Sequence, residues 1–291
     1  MIAYFSNLAT LVAIFGILAV TLNFMVGFAG IFSVAHAVFF GLGAYAGAQI
    51  ALTVTPNPFL ACAVAAGIAG VLSLCLALPA LRVRGEYFVA ASLGLQMVAL
   101  TLFSEVKSLT GGIGGLTNIP RPQVFDVEVG VLPLALLALG VLLWAIHAMA
   151  NGSFGRTLKA IRDAESAAEA LGKPVAVAKA LAVAFACAGA GVAGALFALH
   201  MSFVNVESFT LDQSVLVMAM VIVGGTGTLF GPLVGAVLLL SLPSALSFLT
   251  FIPPTEVGSV QQIIYGLAMT LLMVFRPAGL LGDQNKGKSH A

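Results

Sequence analysis

Phe5 to Val26 reads FSNLATLVAIFGILAVTLNFMV, 22 residues without a charged side chain, and no Lys, Arg, Asp or Glu occurs anywhere before Arg82. A helix needs about 20 apolar residues to cross a bilayer, so the 81 residues ahead of Arg82 hold room for three spans. The rest of the chain follows suit. Charged residues make up 8%, hydrophobic residues 60%, and the mean hydropathy is +1.11. A soluble domain averages roughly 25% charged residues. A surface this poor in charge cannot face water on all sides. The chain is read as an integral membrane protein: all-α, a polytopic transmembrane helical bundle of about 8–9 spans with discontinuous helices, in one transmembrane domain, 1–291.

Nine apolar segments follow one another: Phe5 to Val26, Ile31 to Val54, Phe59 to Leu81, Tyr87 to Phe103, Val129 to Ala150, Ala176 to Met201, the short Leu211 to Gly224, Leu229 to Leu249, and Gln262 to Phe275. The opening residues lack the basic region of a secretory signal and read as a retained first span. Lys and Arg are held on the cytoplasmic side of a membrane. Counting alternately through nine spans puts Arg82, Arg84, Arg156, Lys159, Arg162, Lys173, Lys179, Arg276, Lys286 and Lys288 on one side, against Lys107 and Arg121 on the other. Ten against two makes the C-terminus cytoplasmic. A re-entrant 211–224 would reverse the last three and is disfavoured. Net charge +1 points away from nucleic acid. Cys62, Cys75 and Cys187 sit in apolar runs without partner-like spacing and read as packing residues, so no metal site is expected.

Glycine is frequent, 32 residues of 291, and in membrane helices it permits close packing and breaks. Gly27-Phe28-Ala29-Gly30 in one half resembles Gly224-Gly225-Thr226-Gly227 in the other. Two readings are open: discontinuous helices at a transport pathway, or glycine-rich packing surfaces.

One stretch, residues 151–174, NGSFGRTLKAIRDAESAAEALGKP, concentrates charge: 7 of the 23 charged residues (12 basic plus 11 acidic) lie here. On a single helix Phe154 to Leu171, the residues Phe154, Leu158, Ile161, Ala164, Ala168 and Leu171 share a face. Arg156, Lys159, Arg162, Asp163, Ser166 and Glu169 take the other. Lys159–Asp163 and Glu169–Lys173 are i,i+4 pairs worth ~0.3 kcal/mol each. Gly172-Lys173-Pro174 is a helix stop. Interfacial helices are more uniformly basic, which leaves an inert solvated loop and a helix docking on a soluble partner.

The run FGRTLKAIRDAESAAEALG resembles the cytoplasmic coupling loop of ABC importer permeases, in the form seen in branched-chain amino acid permeases of the LivH/LivM type. GFAGIFSVAHAVFFGLGAYAGA (Gly27 to Ala48), LRVRGEYFVAASLGLQ (Leu81 to Gln96), SLTGGIGGL (Ser108 to Leu116), MVIVGGTGTLFGPLVGA (Met220 to Ala236) and FRPAGLLG (Phe275 to Gly282) are similar to that family in the same order. RGEYF followed by LTGG-x-GGL favours the LivM-like member. The resemblance implies a permease subunit of a bacterial inner membrane, paired with a second homologous permease. It implies two cytoplasmic ATP-binding subunits and an extracytoplasmic solute-binding protein that delivers leucine, isoleucine or valine. ATP and Mg²⁺ would be bound by the partners, with no cofactor, phosphate loop or ATPase site in this chain. Coupling to the ATPase falls on Phe154, Gly155, Arg156, Leu158, Lys159, Ile161, Arg162, Asp163, Glu165, Glu169 and Gly172.

A zwitterion crossing a bilayer needs polar partners, and intramembrane polar groups are costly enough to be informative. Asn23, Ser33, His36, Ser92 and Gln96 are the candidate pathway residues. A half-helix starting near Gly30 would aim its amides at a carboxylate. Against this stands a structural role: His36 bonded to a neighbouring helix, Ser92 and Gln96 bonded between helices. The Thr110-Gly111-Gly112 loop beside a flexible Gly114-Gly115 is read as an outer gate, a binding-protein contact or a solvated turn. Urea or short-amide uptake by a related permease is the alternative within the family. An ion-coupled secondary transporter is another class, for which His36 alone would be a titratable candidate.

Overall fold

The computed structural model describes residues 2–82, 86–124 and 127–247, together with 260, 262–264, 266–267, 270–271 and 279–281. Arg84, Arg276, Lys286, Lys288 and most of the ninth apolar segment lie outside the described residues. Helices dominate. Among the described residues, five apolar helical segments are long enough to cross a membrane: Tyr4–Phe28, Tyr87–Glu105, Val131–Asn151, Val175–Met201 and Val206–Gly224. Two shorter ones, Pro58–Leu74 and Gly231–Leu242, accompany them.

The first span is the axis of the bundle. Helix α1, Ile2–Asn23, runs on into a π-helical turn, Phe24–Phe28, and 89% of its apolar window is buried inside the protein. A helix apolar on every side belongs in the centre. It contacts α6 (Val131–Asn151), α9 (Val175–Met201), α10 (Leu211–Gly224) and α11 (Gly231–Ser247). A second layer is formed by α2 (His36–Thr53) and α3 (Pro58–Arg82), with α9 lying along both. Small residues make this possible. Gly43 of α2 rests on the backbone of Gly191 in α9, and a Cβ at Gly47 would stand 2.7 Å from the Ala195 side chain. With no hydrophobic force between helices in lipid, such backbone contact is what holds them together.

Helix α4 (Glu86–Glu105) and α6 are peripheral, with only 28% and 22% of their apolar windows buried. Met97, Val98 and Leu102 on α4 and Leu136, Leu137, Val141 and Trp144 on α6 point outward, as lipid-facing side chains do. An aromatic group ties the centre: Phe209, fully buried, lies 5.3 Å from Phe40 and 5.7 Å from Tyr45 between ring centroids.

The glycine loop after α4 is knitted rather than loose. The short α5 (Lys107–Thr110) and a 3₁₀ turn, Gly112–Gly114, lead to Leu116, which exchanges two backbone hydrogen bonds with Val204, at 2.8 and 3.0 Å. Thr110 donates its hydroxyl to the Phe103 carbonyl at 2.7 Å, and the Gln49 amide donates to Leu109 at 2.7 Å. A small hairpin follows, β1 (Gln123–Val124) and β2 (Val127–Glu128), flanked by an exposed Arg121–Glu128 pair at 3.5 Å. The flexible reading of Gly114-Gly115 is therefore corrected: the chain beside it is pinned to the α9–α10 connection.

Candidate translocation and coupling site

The first span ends where its glycines begin. Gly30 takes the left-handed conformation at φ +70°, and the Gly30 and Ile31 amides close on the Val26 and Met25 carbonyls, both at 3.1 Å. The chain then runs non-helically through 31–35, and α2 starts at His36. The expected restart near Gly30 is thus moved by six residues. Left-handed backbone at Gly30 closes the first helix, where a half-helix would need right-handed turns.

Its amides are also already occupied. Val34 N–H donates to Ser92 Oγ at 3.1 Å, Ala35 N–H to Ser33 Oγ at 3.2 Å, and Ala37 N–H to Ser214 Oγ at 3.1 Å. Three serines from three elements replace the missing turn, as buried backbone donors require. Thr21 gives its proton to the Ile17 and Leu18 carbonyls at 2.9 and 3.0 Å. His36 Nε2 lies 3.2 Å from the same hydroxyl, closing a buried contact between the first span and the start of α2. Gln96, one turn above Ser92, donates to the Phe209 carbonyl at 2.7 Å.

Four of the five sequence-predicted pathway residues thus gather round the start of α2. Ser33, His36, Ser92 and Gln96 are all buried, at 3%, 1%, 0% and 0% exposure. Thr21, Ser214 and Gln213 join them and were not singled out from the sequence. Small hydroxyls in a span look like ordinary i−4 back-bonding, which hides them. Three buried polar atoms at this level, His36 Nδ1, Gln96 Oε1 and Gln213 Oε1, have no partner among the described residues. An unpaired buried polar atom costs about 1–3 kcal/mol, so a polar solute or water at these atoms has something to gain. A separate cavity of about 520 Å³ between α2, α3 and α4 is lined almost wholly by apolar side chains, among them Leu42, Ile50, Ile68, Leu95 and Leu102. Tyr45, Gln49 and Thr110 are its few polar lining residues.

Asn23 stands apart from this group, nearer the end of the span. Its amide donates to the Thr228 carbonyl at 2.7 Å and its oxygen accepts from Gly227 N–H at 2.8 Å. The two similar glycine motifs therefore meet: Gly27 lies against the backbone of Gly227. Leu280 and Leu281 add their amides to the Val223 and Gly224 carbonyls at 3.0 and 3.1 Å, bringing 279–281 to the same end of the molecule.

The charged stretch sits at that end as well. It forms two helices, α7 (Ser153–Asp163) and α8 (Glu165–Ala170), divided at Ala164 with φ −156° and ψ 90°. The single helix expected over Phe154 to Leu171 is corrected. Its apolar face is half borne out: Leu158, Ile161 and Ala168 are 0%, 3% and 3% exposed and Gly155 packs on Ala150, whereas Ala164 and Leu171, expected on the same face, are exposed because the break at Ala164 turns them out. Gly172, at φ +73°, ends the loop. The expected i,i+4 ion pairs are not among the described contacts. Asp163 takes Arg162 at 2.8 Å, Glu165 takes Lys179 of α9 at 2.6 Å, and Lys159 lies 5.6 Å above the Phe28 ring. Surface i,i+4 pairs are weak, and Asp163 is instead held by its neighbour Arg162. Arg156, Glu169, Leu171 and Lys173 face solvent; Phe154 is half-buried.

Apolar helices with the length to span a membrane, a broken first helix ringed by buried polar groups, and a charged two-helix loop beneath the break define a membrane permease. Residues 4–274 match the family described as branched-chain amino acid transport system / permease component, and the chain belongs to that family, whose members are non-enzymatic transmembrane subunits of ABC transporters. It is 28% identical to the high-affinity branched-chain amino acid transport system permease protein LivM of Escherichia coli K12, over 94% of this chain and 69% of that one. It is 22% identical to a probable branched-chain amino acid transport permease protein LivM of Methanocaldococcus jannaschii, over 85% and 79%. Similarity also reaches the autoinducer 2 import system permease protein LsrC of Klebsiella pneumoniae, at 31% over 57% and 48%. No solved structure matches the chain. One expectation needs correction: the spacing GxxxxGK[ST] does occur, as GDQNKGKS from Gly282 to Ser289. That motif binds phosphate between a strand and a helix, whereas here it follows an apolar membrane segment, and it lies outside the described residues.

Proposed function

We propose that this chain is the membrane subunit of an importer carrying leucine, isoleucine or valine into the cytoplasm, worked by two ATP-binding partner subunits that hold ATP and Mg²⁺. A second homologous permease stands beside it, and an extracytoplasmic solute-binding protein delivers the substrate. The spans number eight or nine, with the C-terminus cytoplasmic. The observation that carries the reading is the position of α7 and α8. They form a charged, two-faced loop whose apolar side packs on the permease and whose Arg156, Glu169 and Lys173 remain available to a partner. The proposed route passes Ser33, His36, Ser92 and Gln96, with Asn23 below, where unpaired buried acceptors offer hydrogen bonds to an ammonium group.

Likeness to the LsrC permeases over 57% of the chain supports a second reading, a polar solute without an amino acid backbone. Proteoliposomes holding the whole importer decide between them. ATP-dependent accumulation of labelled leucine, competed by isoleucine and valine, is expected. Accumulation of autoinducer 2 or urea with none of leucine would replace the amino acid reading. Uptake that persists without the ATPase subunits would end the importer reading altogether.

A further inference from the structure

Arg162 was expected among the residues that meet the ATPase; its side chain, 32% exposed, also reaches back into the body of the chain. Nη1 donates to the Gly27 carbonyl at 2.7 Å, across 135 residues of sequence. Nε and Nη2 reach the Asp163 carboxylate at 2.9 and 2.8 Å, so the guanidinium is oriented by one neighbour and spent on the other. Gly27 belongs to the last turn of a helix that runs from Ile2 to Phe28. Carbonyls in a last turn have no helical partner, and a cation there also meets the negative end of the helix dipole. The fork geometry of arginine suits both tasks at once.

The surrounding backbone leaves room for this one side chain. A Cβ on Gly30 would stand 2.8 Å from Arg162 Cγ and 3.3 Å from its Cα. Lys159, one turn earlier on α7, lies over Phe28 of the same π-helical turn. Gly227, itself held by Asn23, lies against Gly27 and borders Arg162 Nη1 as well. The end of α7 is thus fastened to the final turn of the first span, immediately before the non-helical run 31–35 that carries Ser33 and leads to His36.

We infer that Arg162 is a positioning residue: its hold on the Gly27 carbonyl carries movement of the α7–α8 loop into the break of the first span. This rests on the importer reading for its purpose, but the contact itself is a property of the chain alone. Two perturbations address it. Arg162→Ala removes the tie, and Arg162→Lys keeps one charge and one donor without the fork. Gly30→Ala crowds the arginine and also strains a left-handed residue on its own account, so it serves as a positive control for opening the 24–36 turn.

Hydrogen–deuterium exchange on the purified chain tests the contact. Arg162→Ala and Gly30→Ala should each raise exchange at least tenfold over peptides covering 24–36, with Arg162→Lys intermediate. Glu169→Lys, on the outer face, should leave those peptides at the wild-type rate. Reconstitution of the whole importer tests the transmission. Arg162→Ala should lower amino acid molecules imported per ATP hydrolysed about tenfold while the ATPase subunits still co-purify. Equal exchange over 24–36 in Arg162→Ala and wild type, or a wild-type import-to-hydrolysis ratio, overturns the inference. Loss of co-purification in Arg162→Ala would return the arginine to the ATPase interface and also overturn it. A wild-type complex that imports no amino acid defeats the importer reading instead, with the exchange result standing by itself.

Discussion

Replacing Asn23 by alanine removes two hydrogen bonds that join segments more than 200 positions apart, at 2.7 Å to Thr228 and 2.8 Å from Gly227. The side chain is 1% exposed, so water does not take over its duties. Each partner left unsatisfied costs about 1–3 kcal/mol. Water reaches part of the Thr228 turn, so the lower half of the combined range applies, about 2–4 kcal/mol. At about 2–4 °C per kcal/mol for a chain of this size, the midpoint should fall by about 4–16 °C. Cys187, 1% exposed and unpaired, is a built-in reporter: a thiol-reactive fluorophore reads its appearance as detergent-purified protein is heated. Asn23→Asp sharpens the test. It retains an acceptor for Gly227 but turns an oxygen toward the Thr228 carbonyl, and should be at least as damaging as alanine. A shift under 2 °C for Asn23→Ala, or a wild-type midpoint for Asn23→Asp, would refute the account of how the two glycine motifs are joined.

Three further expectations concern other parts of the molecule. Gly43→Val drives a side chain into the Gly191 backbone and should cost about 3 kcal/mol or more, the upper end of overpacking penalties, whereas Gly94→Ala, with nothing within 4 Å, should gain about 0.5–1 kcal/mol from lost chain freedom; the same thiol-based melt compares them, and similar midpoints contradict the packing. Lys179→Ala breaks the 2.6 Å pair with Glu165, one partner of which is half-exposed, and should cost no more than about 1 kcal/mol while speeding limited proteolysis within 165–170; Glu165→Gln should do the same, and the double variant no more. His36→Ala should lower the melting midpoint by a few degrees through the lost Thr21 contact, and on the proposed route it should also raise KM for leucine uptake severalfold; unchanged KM and rate would leave His36 a purely structural residue.

Membrane residence was legible from Phe5 to Val26 alone, because a charge-free run of that length has no other solvent. The end of the first span was legible within a few residues, because Gly27 and Gly30 interrupt it. Where α2 begins was not. Nothing local distinguishes Ile31 to Ala35 from a helix; the serines that occupy the amides of 34, 35 and 37 come partly from α4 and α10. The loop shows the same limit. Periodicity recovered the buried face of Leu158, Ile161 and Ala168, but alanine is the best helix former and gave no hint that Ala164 would break the run. Tertiary ties on either side, Arg162 to Gly27 and Glu165 to Lys179, outweigh a propensity of under 1 kcal/mol. Which way Arg162 points is likewise a long-range fact, invisible on a helical wheel.

The seam between α2, α3 and α9 has a mechanical meaning. Side chains that interdigitate can swap rotamers and let helices slide; backbones in direct contact have no such slack. Sliding α9 along α2 by about one helical turn, ~5.4 Å, would bring the Cβ of Cys187 or Ala195 into the place that Gly191 leaves open for Gly43. Backbone contact of this kind joins the three helices into one tightly packed unit. Any rocking of the permease must be absorbed at its joints, of which the non-helical run 31–35 and the kink at Ala164 are the two that border this unit and the loop.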